Sequence, residues 1–156
     1  MLVKVELNLA SRQLIGLLLG EVTKIDLTAA RIIREVRRRF DIREGQREVE
    51  KLTREREEEV AEYQGMAKQI TDPVERSLAM RDTPELLTWD DLMGMEARTF
   101  TIDDAHLKWV QDVLQGKDWG APRPGQERAT QLPAAMIEAI ADLADALGEA
   151  KGVRDE

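Results

Sequence analysis

The chain has 156 residues, of which 42% are hydrophobic and 35% charged, and its net charge is −8. It holds no cysteine and a single histidine, His106, which excludes disulfides, thiol nucleophiles, cysteine-based zinc sites and multi-histidine metal centres. The longest apolar run, Leu14 to Leu19, is far short of the ~20 residues that span a bilayer, and Glu6, Asn8, Ser11, Arg12 and Gln13 interrupt any signal-peptide pattern, so the chain reads as cytoplasmic, with no membrane partner.

A chain of this length buries roughly 70% of its unfolded surface and needs no staple. Residues 1–156 are expected to form one domain. Val3, Val5, Leu7 and Leu9 alternate with Lys4, Glu6 and Asn8, the period of a half-buried strand. Ser11 then reads as a helix N-cap ahead of Leu14 to Leu19, with Gly20 as the stop. A second helix is predicted from Asp26 or Thr28. Ala29, Ile32, Ile33, Val36 and Phe40 form its buried stripe, and Arg31, Arg34, Arg37, Arg38 and Arg39 lie on its other faces.

Residues 42–70 read as one long, highly charged helix that packs on the rest or projects from it as an arm. A heptad begun at Ile42 gives a narrow apolar seam through Val49, Leu52, Tyr63 and Met66, weak between Arg56 and Glu59. Asp72, Pro73 and Glu75 mark the start of a short helix running to about Met80. Leu86 to Trp89 and Arg98 to Ile102 have strand-like composition, and the second alternates well enough to pair with Val3 to Leu7.

Asp103 is placed to cap a helix with a stripe of His106, Trp109, Val110, Val113 and Leu114, ended by Gly116. Residues 116–131 read as a loop or linker. A final helix from about Pro133 carries Met136, Ile140, Leu143, Ala144 and Leu147, with Gly148 at its end and residues 149–156 as a frayed tail. The expected fold is therefore mostly α: five or six helices, one long and charged, with a small antiparallel β element.

The residues that carry chemistry are few. Asp90, Asp91, Asp103, Asp104 and His106 make a cation site only if the two strand-like segments pair. Capping and solvation account for them more simply, and the spacing matches no calcium loop and no HExxH motif. No GxxxxGK[ST] or GxGxxG is present, so nucleotide binding by those routes is rejected. No nucleophile elbow is found either, and neither an enzyme activity nor a cofactor is expected.

Charge is unevenly spread. Residues 31–56 hold ten bases and six acids, and residues 72–118 hold five bases and eleven acids. An internal match between the two is the simplest account. Three surfaces remain as candidates. Asp90, Asp91, Asp103 and Asp104, with Trp119 as a possible anchor, suit a basic protein surface. Val49, Leu52, Tyr63 and Met66 suit oligomerisation along the long helix. Arg34, Arg37, Arg38, Arg39 and Arg43 suit phosphates of a nucleic acid, the less favoured partner.

Thr88-Trp89, Phe100-Thr101-Ile102-Asp103 and Trp109-Val110 carry one resemblance. The stretch from Leu86 to Leu114 resembles small uncharacterised accessory proteins encoded by tailed phages and prophages. The resemblance implies a context: a phage accessory protein that acts by binding a host or virion component. With the acidic charge, the expected function is that of a non-enzymatic factor that binds such a protein and inhibits it by occluding a basic surface. The alternatives are a structural or assembly protein that oligomerises through its long helix, or a DNA-packaging accessory. No functional residue comes with it.

Overall fold

The computed structural model describes residues 1–122, 125, 127–128 and 131–152. Its order is β1 (Leu2–Leu7), α1 (Leu9–Gly20), α2 (Leu27–Arg39), α3 (Ile42–Lys68), α4 (Pro73–Arg81), α5 (Trp89–Met93), β2 (Arg98–Asp103), α6 (Asp104–Gly116), α7 (Ala134–Gly148) and β3 (Lys151–Gly152). The protein is mostly α, with seven helices and a three-stranded antiparallel sheet among the described residues, ordered β2-β1-β3.

Period-two alternation makes the sheet one-sided. Val3, Val5 and Leu7 of β1 turn inward with Phe100 and Ile102 of β2, and the register runs from Leu2 opposite Asp103 to Leu7 opposite Arg98. The predicted pairing of the N-terminal strand with residues 98–102 is present. Leu9, however, belongs to α1. Asn8 is the N-cap, and its side-chain oxygen accepts from the Ser11 amide at 2.8 Å. Ser11 is therefore a buried residue of the first helical turn and not the cap, because the Asn8 side chain, directly after the last inward strand position Leu7, already accepts from a free amide of that turn.

Leu86 to Trp89 is not a strand. Thr88 and Asp91 form a capping box that starts α5 at Trp89, and this reciprocal pair outweighs the strand-like composition. The tail is also more ordered than expected, since Lys151 and Gly152 pair with Lys4 and Val3 on the open edge of β1. Residues 153–156, and residues 123, 124, 126, 129 and 130 of the expected loop, lie outside the described residues. Two stripes shift. α6 buries Leu107, Val110 and Leu114, with His106, Trp109 and Val113 half-buried beside them; α7 buries Ala139, Leu143 and Leu147 and leaves Ala144 exposed.

The long helix neither projects throughout nor packs throughout. Its first half lies on α1, with Ile42 and Gly45 buried and Val49 and Leu52 against the core. Two glycines set the close approach. A Cβ on Gly16 would lie 3.2 Å from the Ile42 Cγ2, and one on Gly45 would lie 3.1 Å from the Arg12 Cζ. The second half turns back on itself through α4, forming a helical hairpin in which the Tyr63 hydroxyl donates to the Ala79 carbonyl at 2.9 Å.

Arg12 is the only charged side chain buried among the described residues. It donates from Nε to the Phe40 carbonyl at 3.0 Å and from a terminal nitrogen to the Asp41 carbonyl at 2.6 Å. These carbonyls close α2 and form the turn into α3, where Asp41 adopts a left-handed conformation (φ 46°) that Asp tolerates better than most residues. The guanidinium also lies 5.1 Å from the Phe100 ring centroid, and that ring meets Phe40 edge-on. Burial lowers the Arg12 pKa from its usual value. One side chain thus ties α1, the α2–α3 turn and β2 together.

Candidate interaction surfaces

The two acidic pairs do not converge. Asp90 and Asp91 open α5, whereas Asp103 and Asp104 open α6 at the far end of β2. Asp91 of the first pair and both members of the second are engaged, Asp104 lying 3.6 Å from the Met1 amine. Asp91 accepts from the Thr88 amide at 3.0 Å and its hydroxyl at 3.1 Å, and lies 3.5 Å from the Arg56 guanidinium. The Thr88 amide bond, with the hydroxyl and Arg56, lowers its pKa. Asp103 accepts from the Ala105 amide at 2.9 Å and sits 3.5 Å from the Met1 amine. The amide bond comes first in lowering its pKa, followed by the charges of the amine and His106. Among the described residues no group of three or more His, Cys, Asp or Glu is placed to hold a metal ion.

Trp119 does not stand free. It is half-buried against the core, with the Lys117 ammonium 5.0 Å from its ring centroid, and its buried indole nitrogen has no hydrogen-bond partner among the described residues. Lys117 also pairs with Glu21.

The oligomerisation seam is largely spent within the chain. Val49 and Leu52 pack on the core, and Tyr63 holds α4, leaving Met66 exposed. Arg56, which weakens the heptad, has its own partners: the Glu85 carbonyl at 3.1 Å and the Asp91 carboxylate. An apolar surface appears next to the seam instead. α4 buries no residue. Ala79 and Met80 face inward in part, while Val74 and Leu78, four residues apart on the other side of the helix, are 66% and 52% exposed. Sequence reasoning assigned these two no role, although their spacing was available.

No family model matches the sequence, and comparison with curated proteins and with solved structures finds no match.

The arginines of α2 divide by face. Arg31, Arg34, Arg37 and Arg38 point to solvent, opposite the buried Ala29, Ile33 and Val36. Arg38 and Arg39 hold Glu35 at 2.9 and 3.8 Å; the Arg38 bond lowers the Glu35 pKa, with His106 of the neighbouring α6 adding to it. Arg43 is exposed on the first turn of α3. An open cleft of about 830 Å³ lies between the polar face of the sheet and α7. Its walls mix Lys4 and Lys151 with Glu6, Asp142 and Asp145, and Asn8 donates to Asp142 at 3.0 Å. Among the described residues no helix is long and apolar enough to cross a membrane.

Proposed function

We propose that this chain is a non-enzymatic accessory protein of the tailed-phage kind, cytoplasmic in the host, that works by protein contact through the α3–α4 hairpin, with a second copy of itself as the first partner. The observation that carries the reading is the uncovered apolar face of α4. An amphipathic helix that turns Val74 and Leu78 away from its own fold has its hydrophobic free energy still to gain.

Charge favours self-pairing. In an antiparallel contact between two α4 helices, Val74 of one copy meets Leu78 of the other, and Arg81 of each approaches the partner's first turn, which carries Asp72 and Glu75. A two-fold contact of this kind is isologous, the commonest closed arrangement. This favours the assembly reading over occlusion by an acidic patch, because the acidic pairs lie apart and half of their members serve as caps.

Disulfide trapping tests it. The chain has no cysteine, so Val74→Cys and Leu78→Cys each introduce one thiol. A mixture of the two variants is expected to cross-link under mild oxidation faster than Glu50→Cys, exposed on the same hairpin's long helix. Cross-linking no faster than that control removes the proposal.

A further inference from the structure

We propose that the solvent face of α2 is a contact surface for the phosphodiester backbone of double-stranded DNA. Arg31, Arg34 and Arg38 fall on one line of the helix, spaced by three and four residues, with Arg37 beside them, and all four are exposed. The stripe from Arg31 to Arg38 is ~10.5 Å long at 1.5 Å per residue. One DNA strand presents a phosphate every ~3.4 Å of axis, so the stripe matches about three phosphates.

The fold does not call for this arrangement. α2 carries five arginines and one glutamate in a chain whose acids outnumber its bases, yet Glu35 is the only acid paired with them among the described residues. Cations in the last turn of a helix are favoured by its dipole, which accounts for Arg37, Arg38 and Arg39. That account does not reach Arg31 and Arg34, which lie before the last turn. Neighbours of like charge three and four residues apart destabilise a helix, and the single Glu35 offsets this cost only at Arg38 and Arg39 among the described residues. Arginine is also the cation whose planar, forked donors suit phosphate oxygens. Arg38 and Arg39 both reach Glu35, at 2.9 and 3.8 Å, but only Arg38 lies three or four residues from another arginine of the line, Arg34, so Arg39 is left out of it. Arg31 takes its place.

This surface and the outer face of α4 lie on different elements, so the two readings fail separately. The test is fluorescence anisotropy of a labelled DNA duplex across a salt series, with wild type and Arg31→Glu/Arg34→Glu/Arg38→Glu, the fold of each confirmed by circular dichroism. Binding at low salt is expected, with log K falling against log salt at a slope near ~−2.7 for three phosphates. The triple variant is expected to bind at least about tenfold more weakly, and Arg31→Lys/Arg34→Lys/Arg38→Lys to keep most of the salt slope. Absence of binding at low salt, or undiminished binding by the triple Glu variant, overturns the proposal. Competition by poly-glutamate as effective as unlabelled duplex at equal charge also overturns it, in favour of an acidic polypeptide.

Discussion

Arg12 and Gly45 share one space: a Cβ on Gly45 would stand 3.1 Å from the guanidinium carbon of Arg12. The glycine lets α3 approach α1 closely enough for Arg12 to reach the Phe40 and Asp41 carbonyls. Replacing Arg12 by Met is therefore predicted to cost about 3 kcal/mol, because buried carbonyls lose charge-assisted donors. Arg12→Lys is expected to recover less than half of that, since an ammonium cannot reproduce the planar fork. Urea unfolding curves measure both. A loss below about 1 kcal/mol for Arg12→Met would show that the turn holds without the arginine.

Two further glycines separate packing from helix propensity. A Cβ at Gly16 meets the buried Ile42, whereas one at Gly65 meets nothing within 4 Å. Gly65→Ala is predicted to stabilise by up to about 1 kcal/mol, and Gly16→Ala to destabilise by about 1 kcal/mol through overpacking. Thermal unfolding that ranks the two the other way would contradict the α1–α3 contact.

Acid should weaken the fold. Asp91 and Asp103 have carboxyl pKa values below the usual 3.8, so the native state binds their protons less readily than the unfolded state. Their contribution is fully present above the unfolded pKa and is lost as pH falls through the lowered folded values. Melting temperature is predicted to fall below about pH 4, and Asp91→Asn and Asp103→Asn to flatten that fall. An unchanged slope in the double variant would assign acid sensitivity to other carboxylates.

Arg56 joins the hairpin to the start of α5 through the Glu85 carbonyl and Asp91. Arg56→Leu repairs the heptad on paper, yet it is predicted to destabilise by about 0.5 kcal/mol, because an exposed backbone acceptor and a half-buried carboxylate lose their donor. Denaturant midpoints decide the point: a gain in stability would mean that the apolar seam dominates.

Local signals made most of the elements legible in advance. Alternation placed β1 and its partner, Pro73 after Asp72 placed α4, and Asp103 capped α6 as its sequence implies. Leu86 to Trp89 misled because Thr and Trp favour strands, although the Thr88–Asp91 spacing already spelled a capping box. Arg12 was unreadable, since its acceptors are backbone carbonyls 28 and 29 residues away. The heptad of α3 was real but answered from within the chain, as Val49 and Leu52 meet the core and Tyr63 meets α4. Which side of α4 goes uncovered depends on how the hairpin closes, and no periodicity carries that.

The central claim is self-association through α4. Light scattering behind a sizing column, over a rising concentration series, measures it most directly. The mass is predicted to approach twice the 17.7 kDa of one chain, and Leu78→Asp to hold it at one chain with the fold unchanged. A wild type that stays at 17.7 kDa throughout, or a Leu78→Asp variant that still doubles, would contradict the account.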